Sequence, residues 1–110
     1  MSELPLEVDC PFVKARLGKP GFLLLDCREP SEYATCHIEG AVLIPLSDIP
    51  ARITEITAQS PTELVIHCHH GGRSLRAARW LRQNGFPQAA SLAGGIDLWS
   101  QEIDPTVARY

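Results

Sequence analysis

Cys68 ends the apolar run Leu64-Val65-Ile66-His67 and precedes His69-His70-Gly71-Gly72-Arg73-Ser74, after which Leu75-Arg76-Ala77-Ala78-Arg79-Trp80-Leu81 has a helical pattern. That order reads as strand, loop and helix. A thiol held at such a junction lies where the unpaired N–H groups of the helix start and the positive end of the helix dipole converge, so thiolate is favoured over thiol. The chemistry expected is nucleophilic attack by the Cys68 sulfur near neutral pH. Gly71 and Gly72 allow the loop to aim successive amides at one point, making an anion-binding concavity, with Arg73 adding charge at its far end. A cation at a helix start opposes the dipole, so Arg73 implies an anion or an acidic partner nearby.

His69 and His70 are candidate hydrogen-bond donors to a leaving group or, when protonated, charges that lower the thiol pKa. His67 belongs to the strand and is read as structural. Cys36, His37, His67, Cys68, His69 and His70 lack the Cys-x-x-Cys or His-x3-His spacing of metal sites. No metal or cofactor is expected. Cys27 and Cys36 are small side chains suited to a core; the sharper hypothesis is that one of them resolves an oxidised or persulfidated Cys68 as a disulfide.

Around this loop the chain alternates short apolar runs with helical spacings. Val8, Phe12, Val13 and Leu17 predict a helix over Val8 to Leu17, with Pro11 tolerated in its first turn. Phe22-Leu23-Leu24-Leu25 reads as a strand buried on both faces, with Asp26-Cys27-Arg28 at its carboxyl end. Pro30 to Tyr33 reads as a helical turn and Ala41 to Ile44 as another strand. Ile49, Ile53 and Ile56 predict a helix from Leu46 to Thr57 with Ser47 as cap. Leu64 to Ile66 is the strand that delivers Cys68, and the helix after it packs Ala77, Ala78, Trp80 and Leu81 while Arg76, Arg79 and Gln83 meet water. Ala89 to Leu92 is a weaker strand, followed by a last helix carrying Trp99, and Glu102 to Tyr110 is a tail.

This alternation implies βαβ units and a parallel sheet of about five strands flanked by helices on both faces, an α/β fold. Ligands of such sheets sit beyond the carboxyl ends of the strands, where Asp26-Cys27 and His67-Cys68 would lie together. Asp26, Arg28 and Glu32 are read as a polar network fixing the strand end.

The loop C-H-H-G-G-R-S resembles the active-site loop of the rhodanese family, a cysteine ending a parallel strand, a glycine three residues on, then often Arg-Ser. The stretch D-C-R-E-P-S-E-Y-A-T-C-H-I-E-G-A, Asp26 to Ala41, is similar to the family signature running from Asp-x-Arg through Glu-Tyr to Gly-His-Ile-x-Gly-Ala. Leu92-Ala93-Gly94-Gly95 leading to Trp99 looks like the family's closing element. The resemblance covers about Val8 to Trp99. It departs at Cys36, where the family usually has glycine; a positive φ there would cost about 1–2 kcal/mol. Tyrosine-type phosphatases, close relatives in loop design, carry five residues between cysteine and arginine, whereas four separate Cys68 from Arg73. The shorter ring favours sulfur over phosphate.

The resemblance implies a rhodanese-like sulfurtransferase. Cys68 would take a sulfane sulfur from a small anionic donor such as thiosulfate, hold it as a persulfide, and pass it to cyanide, a small thiol or a protein acceptor. His69, His70, Gly71, Gly72, Arg73 and Ser74 would form the anion-binding loop, and His37 would be a structural residue at the site edge. A persulfide carrier without rapid turnover, and a phosphatase or arsenate reductase on the same scaffold, are the alternative classes.

The bounds agree. A chain of 110 residues is expected to be a single domain, residues 1–110, able to bury roughly 65% of the surface its unfolded form exposes without disulfides or metal. Ten basic against thirteen acidic residues argue against nucleic acid as a partner. Met1-Ser2-Glu3-Leu4-Pro5 has neither the basic start nor the apolar core of a signal peptide, and no apolar run approaches membrane-spanning length. A cytoplasmic address is expected, in which four cysteines without regular spacing are free or catalytic thiols.

Overall fold

Two apolar pentapeptides form the centre of the sheet: β2 (Phe22–Asp26) lies parallel to β4 (Glu63–His67), with Asp26 opposite His67 at the carboxyl end. The computed structural model describes residues 4–110. The expectation concerning the first three residues, Met1 to Glu3, lies outside the described residues. Around the central pair the sheet adds β5 (Ala89–Leu92) beside β4 and β3 (Val42–Leu43) beside β2, and β1 (Glu7–Val8) closes the far edge beyond β5. The order is β1-β5-β4-β2-β3 and every pairing is parallel. The expected five-stranded parallel sheet is therefore present.

Successive strand residues point to opposite faces. Leu23, Leu25, Leu64 and Ile66 pack beneath Ile56 of α3 (Ile53–Gln59) and Ala77, Ala78 and Leu81 of α4 (Gly72–Gln83). Leu24 and Val65 face the other way, against Val13 of α1 (Cys10–Arg16) and Ile96 and Trp99 of α5 (Gly95–Glu102). The cysteines follow the same division. Cys27 and Cys68 continue the first face, whereas Cys10 and Cys36 belong to the second core.

Three local readings differ from the structure. Val8 is in β1, not in the first helix, because Asp9 caps α1 by accepting the Phe12 N–H at 3.0 Å. β1 is held by Ser91 N–H to Leu6 O at 2.7 Å and Ala93 N–H to Val8 O at 2.8 Å, partners that a two-residue strand does not announce. The helix expected over Leu46 to Thr57 divides into a 3-10 turn (Leu46–Asp48) and α3. Pro50 lies between them, lacking the N–H an unbroken helix requires and clashing with the preceding turn. Finally, Cys36 has φ −164°, extended backbone open to any residue, so replacing the family's glycine carries no strain.

The short α2 (Pro30–Thr35) follows β2 and buries none of its residues; its contribution is Glu32, described below. Among the described residues no helix is long and apolar enough to cross a membrane.

Candidate active site

Because β2 and β4 are parallel and in register through Asp26 and His67, Cys27 and Cys68 emerge next to one another on one face of the sheet. The ladder continues one bond further, Cys27 N–H to His67 O at 3.0 Å. Cys68 is almost fully buried, at 1% exposure. Its Sγ accepts the Gly71 N–H at 3.1 Å and the Ser74 N–H at 3.4 Å, and contacts Ser74 Oγ at 3.4 Å. Gly71, with φ +115°, caps α4 in a conformation unfavourable to L side chains and turns its amide inward. Ser74 Oγ is held in turn by Ser91 Oγ at 2.7 Å.

The loop is also gripped from behind. Cys68 O accepts the Ile96 N–H at 2.9 Å and His69 O accepts the Asp97 N–H at 3.1 Å, so the start of α5 holds both carbonyls. This approach requires Gly95, where a Cβ would stand 2.5 Å from each of those oxygens. With its carbonyls committed to α5, the loop directs amides at the sulfur.

These donors set the charge state of Cys68. A hydrogen bond from the Cys27 thiol, then the Ser74 hydroxyl and the Ser74 and Gly71 amides, overcome the effect of burial and push its pKa down to about 4. Cys27 moves the opposite way, because its hydrogen bond to Cys68 and its own burial keep the proton on it. Burial, reinforced by Glu102 and Asp9, likewise pushes Cys10 up to about 11. The sign is testable by thiolate absorbance, taking the difference between the protein and its Cys68→Ser variant. That difference is expected to persist on acidification until the titration nears pH 4, whereas an ordinary thiol would have lost it below about 8.5.

Behind the sulfur, Asp26 and Arg28 form a fully buried ion pair, Nη2 to Oδ2 at 2.6 Å and Nε to Oδ1 at 2.8 Å. Arg28 also donates to Cys36 O at 2.8 Å and Tyr110 Oη at 3.0 Å. His67 lies 3.6 Å from Asp26, and burial lowers its pKa, so it is a neutral structural ring as expected. Arg73 does not stand as a lone cation. Both its terminal nitrogens donate to Glu32, at 2.7 and 3.0 Å, and this contact holds the Glu32 carboxyl well below its usual range. The acidic partner implied by a cation at a helix start is thus Glu32. The polar network read around Asp26, Arg28 and Glu32 is two ion pairs, linked by Tyr110.

Tyr110 donates to Glu32 Oε2 at 2.7 Å and stacks its ring on His69, with centroids 4.0 Å apart and planes 7° from parallel. His69 stacks on His70, whose Nδ1 lies 4.0 Å from Asp97. His69 Nε2 is buried without a hydrogen-bond partner among the described residues. Neither Tyr110 nor Ser91 was expected here. Ser91 carried a signal, a hydroxyl in an otherwise apolar strand; Tyr110 carried none, since nothing in its neighbourhood indicates docking. His37 stacks on Tyr33. Among the described residues no group of three or more His, Cys, Asp or Glu side chains is placed to hold a metal ion.

Comparison with known proteins identifies relatives of the whole chain. The family model described as Rhodanese-like domain matches residues 11–102. A sulfurtransferase of Allochromatium vinosum is 36% identical over 103 residues, covering 93% of this chain and 94% of that protein. The putative sulfur carrier protein YrkF of Bacillus subtilis is 38% identical over 81 residues, 74% of this chain but only 43% of that protein. The human single-domain sulfurtransferase TSTD1 superposes with a TM-score of 0.76 at 29% identity, covering 90% of this chain and 98% of that one.

Proposed function

We propose, from the premise that this chain belongs to the rhodanese-like domain family, that it transfers a sulfane sulfur from a small anionic donor of the thiosulfate type to a thiophilic acceptor through a persulfide on Cys68. The observation that carries this reading is the thiolate at the end of β4, with the Gly71 and Ser74 amides donating to its sulfur.

The Cys68 thiolate attacks the outer sulfur of the donor; a new S–S bond forms, the donor's own S–S bond breaks, and sulfite leaves with the bonding pair. The acceptor, cyanide or a thiolate, then attacks the outer sulfur of the persulfide and Cys68 departs as the thiolate. In both steps the sulfur that gains or loses charge stays beneath fixed amide donors that need no reorganisation. The unpartnered His69 Nε2 is a donor for the leaving anion. Glu32 clamps the plane of Arg73, so Arg73 shapes the loop wall as well as contributing charge. His70, more exposed, and Gly72 complete the loop.

Intact mass after incubation with thiosulfate tests the reading. A gain of about one sulfur atom, lost on adding cyanide with release of thiocyanate, is expected. No gain from thiosulfate, mercaptopyruvate or a low-molecular-weight persulfide would overturn it. The near-complete burial of Cys68 favours one second reading, a carrier loaded by a partner, which would hold sulfur while turning over thiosulfate and cyanide negligibly. The four-residue spacing from Cys68 to Arg73 speaks against a phosphatase, and inactivity toward an aryl phosphate is expected. We place the reaction in the cytoplasm, a reducing compartment in which Cys10, Cys27, Cys36 and Cys68 would stay free thiols.

A further inference from the structure

Of the four cysteines, only Cys27 shares with Cys68 both a face of the sheet and a neighbouring strand end. Neighbouring strands run about 4.8 Å apart, within the Cα separation of about 4.4–6.8 Å that a disulfide spans. Cys36 packs against the core on the other face, and its carbonyl is bound to Arg28. Cys27 also lines the inner wall of a groove of about 640 Å³ between α4 and the 3-10 turn, together with Leu46, Ile49, Arg73, Arg76 and Trp80. Cys27 is among the residues lining that groove and Cys68 is not, so a thiol entering it meets Cys27 first.

We propose that Cys27 is a second reactive cysteine, which closes a reversible disulfide with Cys68 when Cys68 is oxidised by a hydroperoxide and so diverts it from irreversible oxidation. The proposal rests on the reading of Cys68 as an activated thiolate. In the first step the Cys68 sulfur attacks the peroxide; an S–O bond forms, the O–O bond breaks, and the alcohol or water leaves after taking one proton. The sulfur is oxidised to sulfenic acid and the peroxide is reduced by two electrons. Until then, the negative charge on Cys68 holds the Cys27 proton in place. The neutral sulfenic acid no longer does. The Cys27 sulfur attacks the Cys68 sulfur, an S–S bond forms, the S–O bond breaks, and hydroxide leaves with the Cys27 proton as water. The sum is two thiols and one hydroperoxide giving a disulfide, an alcohol or water, and water. A dithiol entering through the groove meets Cys27 first, and its attack there releases the Cys68 thiolate ready for use.

The test treats reduced protein with a slight excess of hydrogen peroxide, alkylates the remaining thiols, and maps peptides by mass. Expected is a product about 2 Da lighter before alkylation, with Cys27 and Cys68 in one cross-linked peptide, Cys10 and Cys36 unlinked, and full reversal by dithiothreitol. Cys27→Ala and Cys27→Ser are expected to lose the cross-link and to carry Cys68 to a sulfinic acid that dithiothreitol does not reverse, while Cys36→Ala behaves as wild type. Wild-type protein that passes directly to sulfinic acid, or a cross-link that maps to Cys36, would overturn the proposal, and neither result depends on a variant folding. Thiosulfate loading is measured on the same reduced sample. A cross-link without loading supports the pairing and rejects sulfur transfer, and loading without a cross-link does the reverse.

Discussion

Replacing Cys68 with serine is expected to leave a folded protein whose sulfur transfer falls by about four orders of magnitude or more, to the background of the uncatalysed reaction. The change is one of sulfur for oxygen in a site that accepts hydrogen bonds from Gly71 and Ser74, so the loop retains its donors. What disappears is the charge. The surroundings hold the thiol as thiolate by displacing its pKa to about 4, whereas a serine hydroxyl remains protonated at any pH the protein survives. An alkoxide would also form no bond to sulfur comparable with a persulfide. Circular dichroism and thermal melting check the fold, and thiocyanate release checks the loss; substantial residual turnover would move the sulfur-carrying role to another thiol.

The second large effect concerns stability. Asp26→Ala is expected to lower unfolding free energy by about 3–5 kcal/mol, because Arg28 stays buried with its charge uncompensated. For a chain of this size that corresponds to a fall in melting temperature of about 10–25 °C. The penalty belongs to breaking the pair, not to the pair's net worth, since two buried charges also give up their hydration. A melting temperature shifted by less than about 5 °C would mean that Arg28 turns outward to water when its partner is removed. The damage should extend to the loop, because Arg28 reaches Tyr110, Tyr110 reaches Glu32, and Glu32 holds Arg73.

Legibility along the chain follows the range of the forces involved. The Cys68 loop, the central strands and α4 could be read because apolar runs, glycines and helical spacing are local features. Burial on both faces was readable too, in the continuous apolar run Phe22-Leu23-Leu24-Leu25. The break at Pro50 was also written locally, but the spacing of Ile49, Ile53 and Ile56 on either side obscured it. Other features depend on residues far apart. β1 exists because β5 supplies its partners, and nothing in Glu7-Val8 records that. Arg73 showed that it needed a counter-charge, yet the choice of Glu32 over a bound anion depends on where α2 lies. Tyr110 is the extreme case: its role arises from contacts 41 to 82 residues away along the chain. The pairing of Cys27 with Cys68 is intermediate. Two cysteines at strand ends were visible, but it takes the β2/β4 register and the separate core joined by Cys36 to single out Cys27.

The glycine at the start of α5 has a consequence for anyone wishing to reprogram this loop. Libraries built by randomising His69 and His70 would leave the scaffold of the reaction intact, since those side chains are attached to a backbone whose carbonyls are already held by Ile96 and Asp97. Randomising Gly95 would push Cys68 and His69 off their seat and turn the amides away from the sulfur, although its own side of the loop bears no reactive group. The backbone that aims the amides and the side chains it carries are thus set at separate addresses, and the second can be searched while the first is kept constant.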